Sequence, residues 1–191
     1  VGVATALAVV TSLPVMAQPS DRPPESPRGT ELGILVGGAF ASGTAAVASG
    51  VAGWEVTRWW SVEARGSWFA PGDGSSGFSA DLGAVINVIP RQDVTPYVGA
   101  SFGFYRALFD SALTPMSSFY GDRVAADSRA ERLMFTDPAL RLAAGVEILN
   151  GRKITIRPEA SSMLMWRDGR SEAMAMVGVR LGYRFEDRTV R

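Results

Sequence analysis

The chain of 191 residues is long enough for one domain of ordinary size and short of two. Its 19 basic and 19 acidic residues cancel, which gives no support to nucleic-acid binding. With no Cys and no His, the chain has no disulfides, no thiolate or zinc-thiolate chemistry, no Ser-His-Asp triad and no histidine base or ligand. No phosphate loop, metal-ligand cluster or nucleotide fingerprint is present, so no catalytic residue, cofactor or metal site is expected.

Residues 1–17, VGVATALAVVTSLPVMA, carry no charge and are mostly Val, Ala and Leu. Pro14 breaks the run, and Val15-Met16-Ala17 places small residues at positions −3 and −1 before Gln18. This reads as the apolar and cleavage regions of a secretory signal peptide. Residues 18–29 hold four prolines and no hydrophobic anchor and read as a disordered leader.

From Thr30 onward the hydrophobic signal alternates with period two. Turn signals divide it into eight expected strands, at about 30–42, 46–57, 60–70, 77–88, 96–107, 138–149, 153–166 and 172–185. Asn150-Gly151 is the strongest hairpin signal, and Pro71-Gly72-Asp73-Gly74 marks another turn. Residues 109–137 read as a long polar loop, with one short helix expected over 124–134. From the second strand pair onward, short and longer connections alternate, so tight turns are expected at one end of a meander and larger loops at the other.

Charge parity is the most informative feature. One face of the alternation is free of charge in every segment except at Arg106, near the loop end of the fifth strand. The other face carries Glu31, Glu55, Glu63, Asp81, Glu147 and Glu159 together with Arg65, Arg141, Arg157, Arg180 and Arg184. A soluble barrel or sandwich turns the apolar face inward, whereas a transmembrane barrel turns it to lipid. Three features favour the second arrangement. Of the basic residues only Lys153 is lysine, and arginine forks suit carboxylates in a narrow interior. Strands of about 11 residues, tilted about 40°, match the ~25 Å apolar band of an outer-membrane barrel. Aromatics also gather at both ends: Trp54, Trp59, Trp60, Tyr183 and Phe185 at the short-turn end, and Trp68, Phe78, Phe104 and Trp166 towards the other. The expected fold is therefore all-β: an eight-stranded antiparallel up-and-down transmembrane β-barrel over 30–185. A short periplasmic tail over 186–191 follows, and both termini are periplasmic.

The last strand, VGVRLGYRF over 177–185, and the architecture as a whole resemble the small outer-membrane β-barrels of OmpA/OmpX type. The resemblance covers about Thr30 to Phe185. It implies that Gly178, Leu181, Tyr183 and Phe185 form the signal read by the barrel assembly machinery, that outer-membrane lipid surrounds the chain, and that the role is non-enzymatic. That role would be envelope integrity or contact with an unknown surface ligand through the long loop. Two alternatives stay open: a small pore or hydrophobic-ligand conduit, and a secreted soluble lipocalin-like binding barrel. The lumen charges argue for a plugged interior rather than a pore.

Overall fold

The computed structural model describes residues 29–41, 43–57, 59–72, 75–89, 94–110, 116–126, 133–150 and 153–186. Eight antiparallel strands run in chain order: β1 (Gly29–Phe40), β2 (Thr44–Thr57), β3 (Trp60–Gly72), β4 (Ser75–Asn87), β5 (Val94–Phe109), β6 (Leu133–Asn150), β7 (Ile154–Arg167) and β8 (Arg170–Glu186). Each pairs with its sequence neighbour, and β1 pairs with β8, so the sheet closes on itself. One helix, α1 (Ser118–Ala126), lies between β5 and β6. The expected fold, an eight-stranded up-and-down barrel, is the one observed. The expected signal peptide over 1–17 and the leader up to residue 28 lie outside the described residues, as do 187–191.

Successive side chains of a strand point to opposite faces, so register fixes which set fills the lumen. The β1–β8 seam pairs Glu31 with Arg184 and Leu35 with Arg180, while β3–β4 pairs Arg65 with Asp81. Odd-numbered residues of β1–β7, up to the register shifts after Glu55 and Phe69, and even-numbered residues of β8 therefore point inward. Large apolar side chains on the other set are exposed, among them Ile34 at 66 %, Leu82 at 58 % and Leu181 at 59 %. Outward positions from Thr30 to Phe40 rise about 25 Å, taking ~3.3 Å per residue and a ~40° tilt. Among the described strand residues, Arg106 is the single charged side chain at an outward position; it sits near the end of β5, opposite Phe78 and Thr136.

Glycines at inward positions let the strands coil tightly around so narrow a lumen. A Cβ on Gly103 would stand 1.9 Å from the Ala80 carbonyl oxygen, and one on Gly83 would stand 2.1 Å from that of Ala100. The β7–β8 hairpin closes through Asp168 and Gly169, with φ of 51° and 74°. Both values are positive, as a two-residue type I′ turn requires.

Three sequence expectations need correction. Strand β6 starts at Leu133 and not near 138, because Leu133, Phe135 and Asp137 continue its inward series and pair with β5 up to Phe109↔Leu133. Pro138 stays within the strand, opposite Phe104. The helix spans Ser118–Ala126 and not 124–134, since Phe119, Tyr120 and Arg123 form the face that packs on the barrel. The connections also do not divide into tight and large by end. At the end away from Gly29 and Glu186, β1–β2, β3–β4 and β7–β8 are joined by residues 41–43, 73–74 and 168–169, and only 110–132 is long.

Candidate functional site: a two-tier lumen

The lower tier, nearer Gly29 and Glu186, is a charge network that crosses the barrel. Strands β3 and β7 stand four apart in an eight-stranded ring and so face each other across its full width. Two links span that width. Arg65 of β3 donates to Glu159 of β7 through both terminal nitrogens, at 2.5 and 2.9 Å. Glu63 of β3 accepts from Arg157 of β7 at 2.7 Å and from both terminal nitrogens of Arg180 of β8 at 2.8 Å. Arg157 and Arg180 are direct cross-strand partners, a like-charge pairing that would repel without the carboxylate between them. The Tyr97 hydroxyl donates to Glu159 at 3.0 Å.

Around this axis the remaining charges pair in turn. Glu147 lies against both Arg157 and Arg184, and Arg184 Nε also reaches Glu31 at 3.3 Å. Glu31 is 3.6 Å from Arg180 and 3.7 Å from Arg157. Arg141 pairs with Asp81 at 3.0 Å and donates to the hydroxyls of Ser67 and Ser79, both at 3.3 Å. Ser101 donates to the other Asp81 oxygen at 2.7 Å. Five acids, Glu31, Glu63, Asp81, Glu147 and Glu159, thus meet five arginines, Arg65, Arg141, Arg157, Arg180 and Arg184. Arg180 is fully buried at 0 % exposure. Glu55 is half-buried and faces inward near the end of β2. Two spaces within this tier measure about 20 and 10 Å³. Such a space holds a water molecule at most.

The upper tier is apolar, and sequence reading missed it. Continuing the inward series past Ser161 and Gly178 leads to Met163 and Met165 on β7 and to Met176 and Met174 on β8. These join Ala39, Val47, Phe69, Ala107, Phe109, Leu133 and Ala139 in one buried cluster, with Phe119 and Tyr120 of α1 set into it. A nine-residue helix is marginal alone, so packing must hold α1 in place. The Tyr120 ring stacks near Phe109 and Phe135 at 5.2 and 5.6 Å, and its hydroxyl is 3.8 Å from Met165 Sδ. Burial pushes the Tyr120 phenol well above its usual ionisation range.

Polar ties fix the helix to the rim. Arg123 donates to both oxygens of Asp137, at 3.1 and 2.9 Å, with its guanidinium 4.3 Å over the Phe135 ring. Asp137 is itself at 0 % exposure and also accepts from Arg167 at 3.3 Å. Asp122 pairs with Arg170, and Ser117 donates to Glu172 at 2.6 Å. Asp137 was readable as an inward acid once β6 is started at Leu133; Arg123 carried no such signal.

The residues of the last strand divide by face. Leu181, Tyr183 and Phe185 point outward and are exposed, with the Tyr183 and Phe185 rings 5.0 Å apart. Gly178 faces inward at the seam, where a Cβ would stand 2.8 Å from the Val36 carbonyl oxygen. Trp54, Trp59 and Trp60 are exposed at the same end, while Trp68, Phe78 and Phe104 are exposed towards the other. Among the described residues no group of three or more acidic side chains could hold a metal ion.

No protein-family model matches the chain, and no curated protein matches it closely enough to count as a relative. Solved structures do match its fold. Neisserial surface protein A (NspA) superposes with a TM-score of 0.61 at 14 % identity, over 84 % of this chain and 98 % of that one. The N-terminal β-barrel domain of Pseudomonas aeruginosa OprF gives 0.54 at 15 % identity, over 81 % and 97 %. The chain therefore has the architecture of these small closed β-barrels, and at such identities the likeness is one of fold.

Proposed function

We propose that this chain is an integral β-barrel protein of a bacterial outer membrane, of OmpA/OmpX type. It acts without catalysis, in envelope integrity or in contact with a surface ligand. The observation that carries the reading is the inversion of the barrel. Side chains such as Ile34, Leu82, Phe102 and Leu181 are the exposed ones, while Arg65, Arg141, Arg157 and Arg180 are buried. In water this arrangement would leave a continuous apolar belt unburied, whereas in a bilayer lipid covers the belt and the lumen pairs the charges. A soluble lipocalin-like barrel needs the reverse arrangement.

The lumen is closed to solute flow in this reading, because Arg65–Glu159 and Glu63–Arg157 cross its whole width beneath the apolar tier. Residues 1–17 direct export and are removed before Gln18. The chain ends lie on the periplasmic side, and the 110–132 connection with α1 lies on the cell surface. Gly178, Leu181, Tyr183 and Phe185 present the last strand to the barrel assembly machinery. The test is expression in a Gram-negative cell followed by envelope fractionation. The protein should migrate in the outer-membrane fraction, shift in electrophoretic mobility on boiling, and give no steady conductance in planar bilayers. Recovery as a soluble periplasmic protein refutes the membrane reading, and a large steady conductance refutes the closed lumen.

A further inference from the structure

The mouth of the barrel beside α1 holds a half-open cavity of about 250 Å³. Its walls mix apolar side chains, among them Phe69, Ala107, Phe109, Met165 and Met174, with the hydroxyls of Tyr105 and Tyr120. The Arg65–Glu159 and Glu63–Arg157 links of the charge tier form its floor. Among the described residues one carboxylate lines it, that of Glu172 on β8.

Glu172 differs from six of the inward acids. Glu31, Glu63, Asp81, Asp137, Glu147 and Glu159 each have an arginine within 4.0 Å. Glu172 accepts one hydrogen bond, from the Ser117 hydroxyl, and among the described residues no basic side chain is its ion-pair partner. Glu172 is half-buried and lines the chamber beside Tyr105 and Tyr120. A carboxylate from which solvent is partly excluded attracts a counter-charge more strongly than one in open water. Methionine sulfurs and aromatic rings around it suit the face of an aromatic group and, through the ring quadrupole, a cation.

Volume sets the size of the guest. An apolar cavity of ~150 Å³ holds benzene, so the larger chamber here has room for one ring and a short aminoalkyl arm. The closed floor excludes a long acyl chain. We propose that this cavity is a binding site for a small organic cation, whose apolar part enters between Phe69, Phe109 and the methionines and whose ammonium group pairs with Glu172. The site is separate from the charge network and goes beyond the role in the envelope.

Titration of the full chain in lipid nanodiscs with two matched probes, 2-phenylethylammonium and 2-phenylethanol, tests the proposal, with empty nanodiscs as the blank. The ammonium should bind saturably at one per barrel and at least tenfold more tightly than the alcohol. Glu172→Gln should erase that preference and leave the two probes equal, and Ala107→Leu should weaken both by shrinking the chamber. Each sample is also scored for heat-modifiable migration, which separates a lost site from a lost barrel. In protein that migrates as a folded barrel, ammonium binding no different from the blank overturns the proposal, and so does a preference that survives Glu172→Gln.

Discussion

Glu63 is the side chain whose loss should hurt the barrel most. Its carboxylate accepts three hydrogen bonds from two arginines, Arg157 and Arg180, that face each other on adjacent strands. Glu63→Gln keeps the shape but replaces a charged acceptor by a neutral amide whose nitrogen turns towards a guanidinium. Charge-assisted bonds contribute ~1.5–3 kcal/mol each, and three would suggest a larger loss than will be seen. Glu31, 3.6 Å from Arg180 and 3.7 Å from Arg157, and Glu147 beside Arg157 take up part of the charge. The expected destabilisation is therefore that of one stranded buried charge, ~3–5 kcal/mol. Arg180→Met, paired with Glu63→Gln, removes the stranded partner, so the double variant should be more stable than the sum of the singles predicts by at least ~1.5 kcal/mol. Reversible guanidinium unfolding in defined vesicles, followed by fluorescence of the outward tryptophans, measures all four corners of the cycle. A Glu63→Gln loss below ~1 kcal/mol, or additive singles, would refute the view that this tier is one connected network.

Three further outcomes follow from named contacts. Val179→Arg places a charge on the outward face and should lower stability in bilayers by ~2–4 kcal/mol, and insertion as efficient as that of the parent chain argues against a lipid-facing Val179. Gly103→Ala drives a methyl into the Ala80 carbonyl, 1.9 Å away, so an overpacking loss of ~1–3 kcal/mol is expected in the same unfolding assay; no measurable change would mean that β4 and β5 coil less tightly. Because burial raises the Tyr120 phenol above its ordinary value of 10.0, the undocked helix ionises first. The stability that Tyr120 gives to docked α1 is thus complete below pH 10 and declines as pH rises beyond it. A difference titration of tyrosinate absorbance between the parent chain and Tyr120→Phe should show no ionisation from Tyr120 near pH 10, and an ordinary curve there refutes its burial.

The lumen charges were legible because period two leaves no choice once one face is uniformly free of charge. Moving Arg180 outward would have moved Val179 and Leu181 inward with it, and every strand imposes the same constraint. What the alternation could not supply is which arginine meets which acid. Arg65 and Glu159 lie 94 positions apart, and their meeting depends on strand count, stagger and tilt together. The apolar upper tier was hidden for a different reason. Met163, Met165, Met174 and Met176 are as hydrophobic as the outward residues beside them, so the contrast that marks the faces fades along the last third of β7 and the first third of β8. Pro138 obscured the start of β6, since a proline reads as a break although its outward position there leaves the strand intact. The short helix had no amphipathic period long enough to announce itself, and its place is set by Phe119, Tyr120 and Arg123 finding the barrel mouth.

The central claim is that lipid covers one face of every strand and that paired charges fill the other. The chain has no cysteine, so single cysteines can be introduced and spin-labelled one at a time. The most direct measurement compares the accessibility of such labels in bilayers to lipid-dissolved oxygen and to a water-soluble nickel chelate, at outward Leu82, Leu142 and Val179 and at inward Ser49 and Ser161. The account predicts high oxygen and low nickel contact at all three outward positions, and low contact with both reagents at the two inward ones. Nickel contact at Leu82, Leu142 and Val179 equal to that of a label free in water would contradict it.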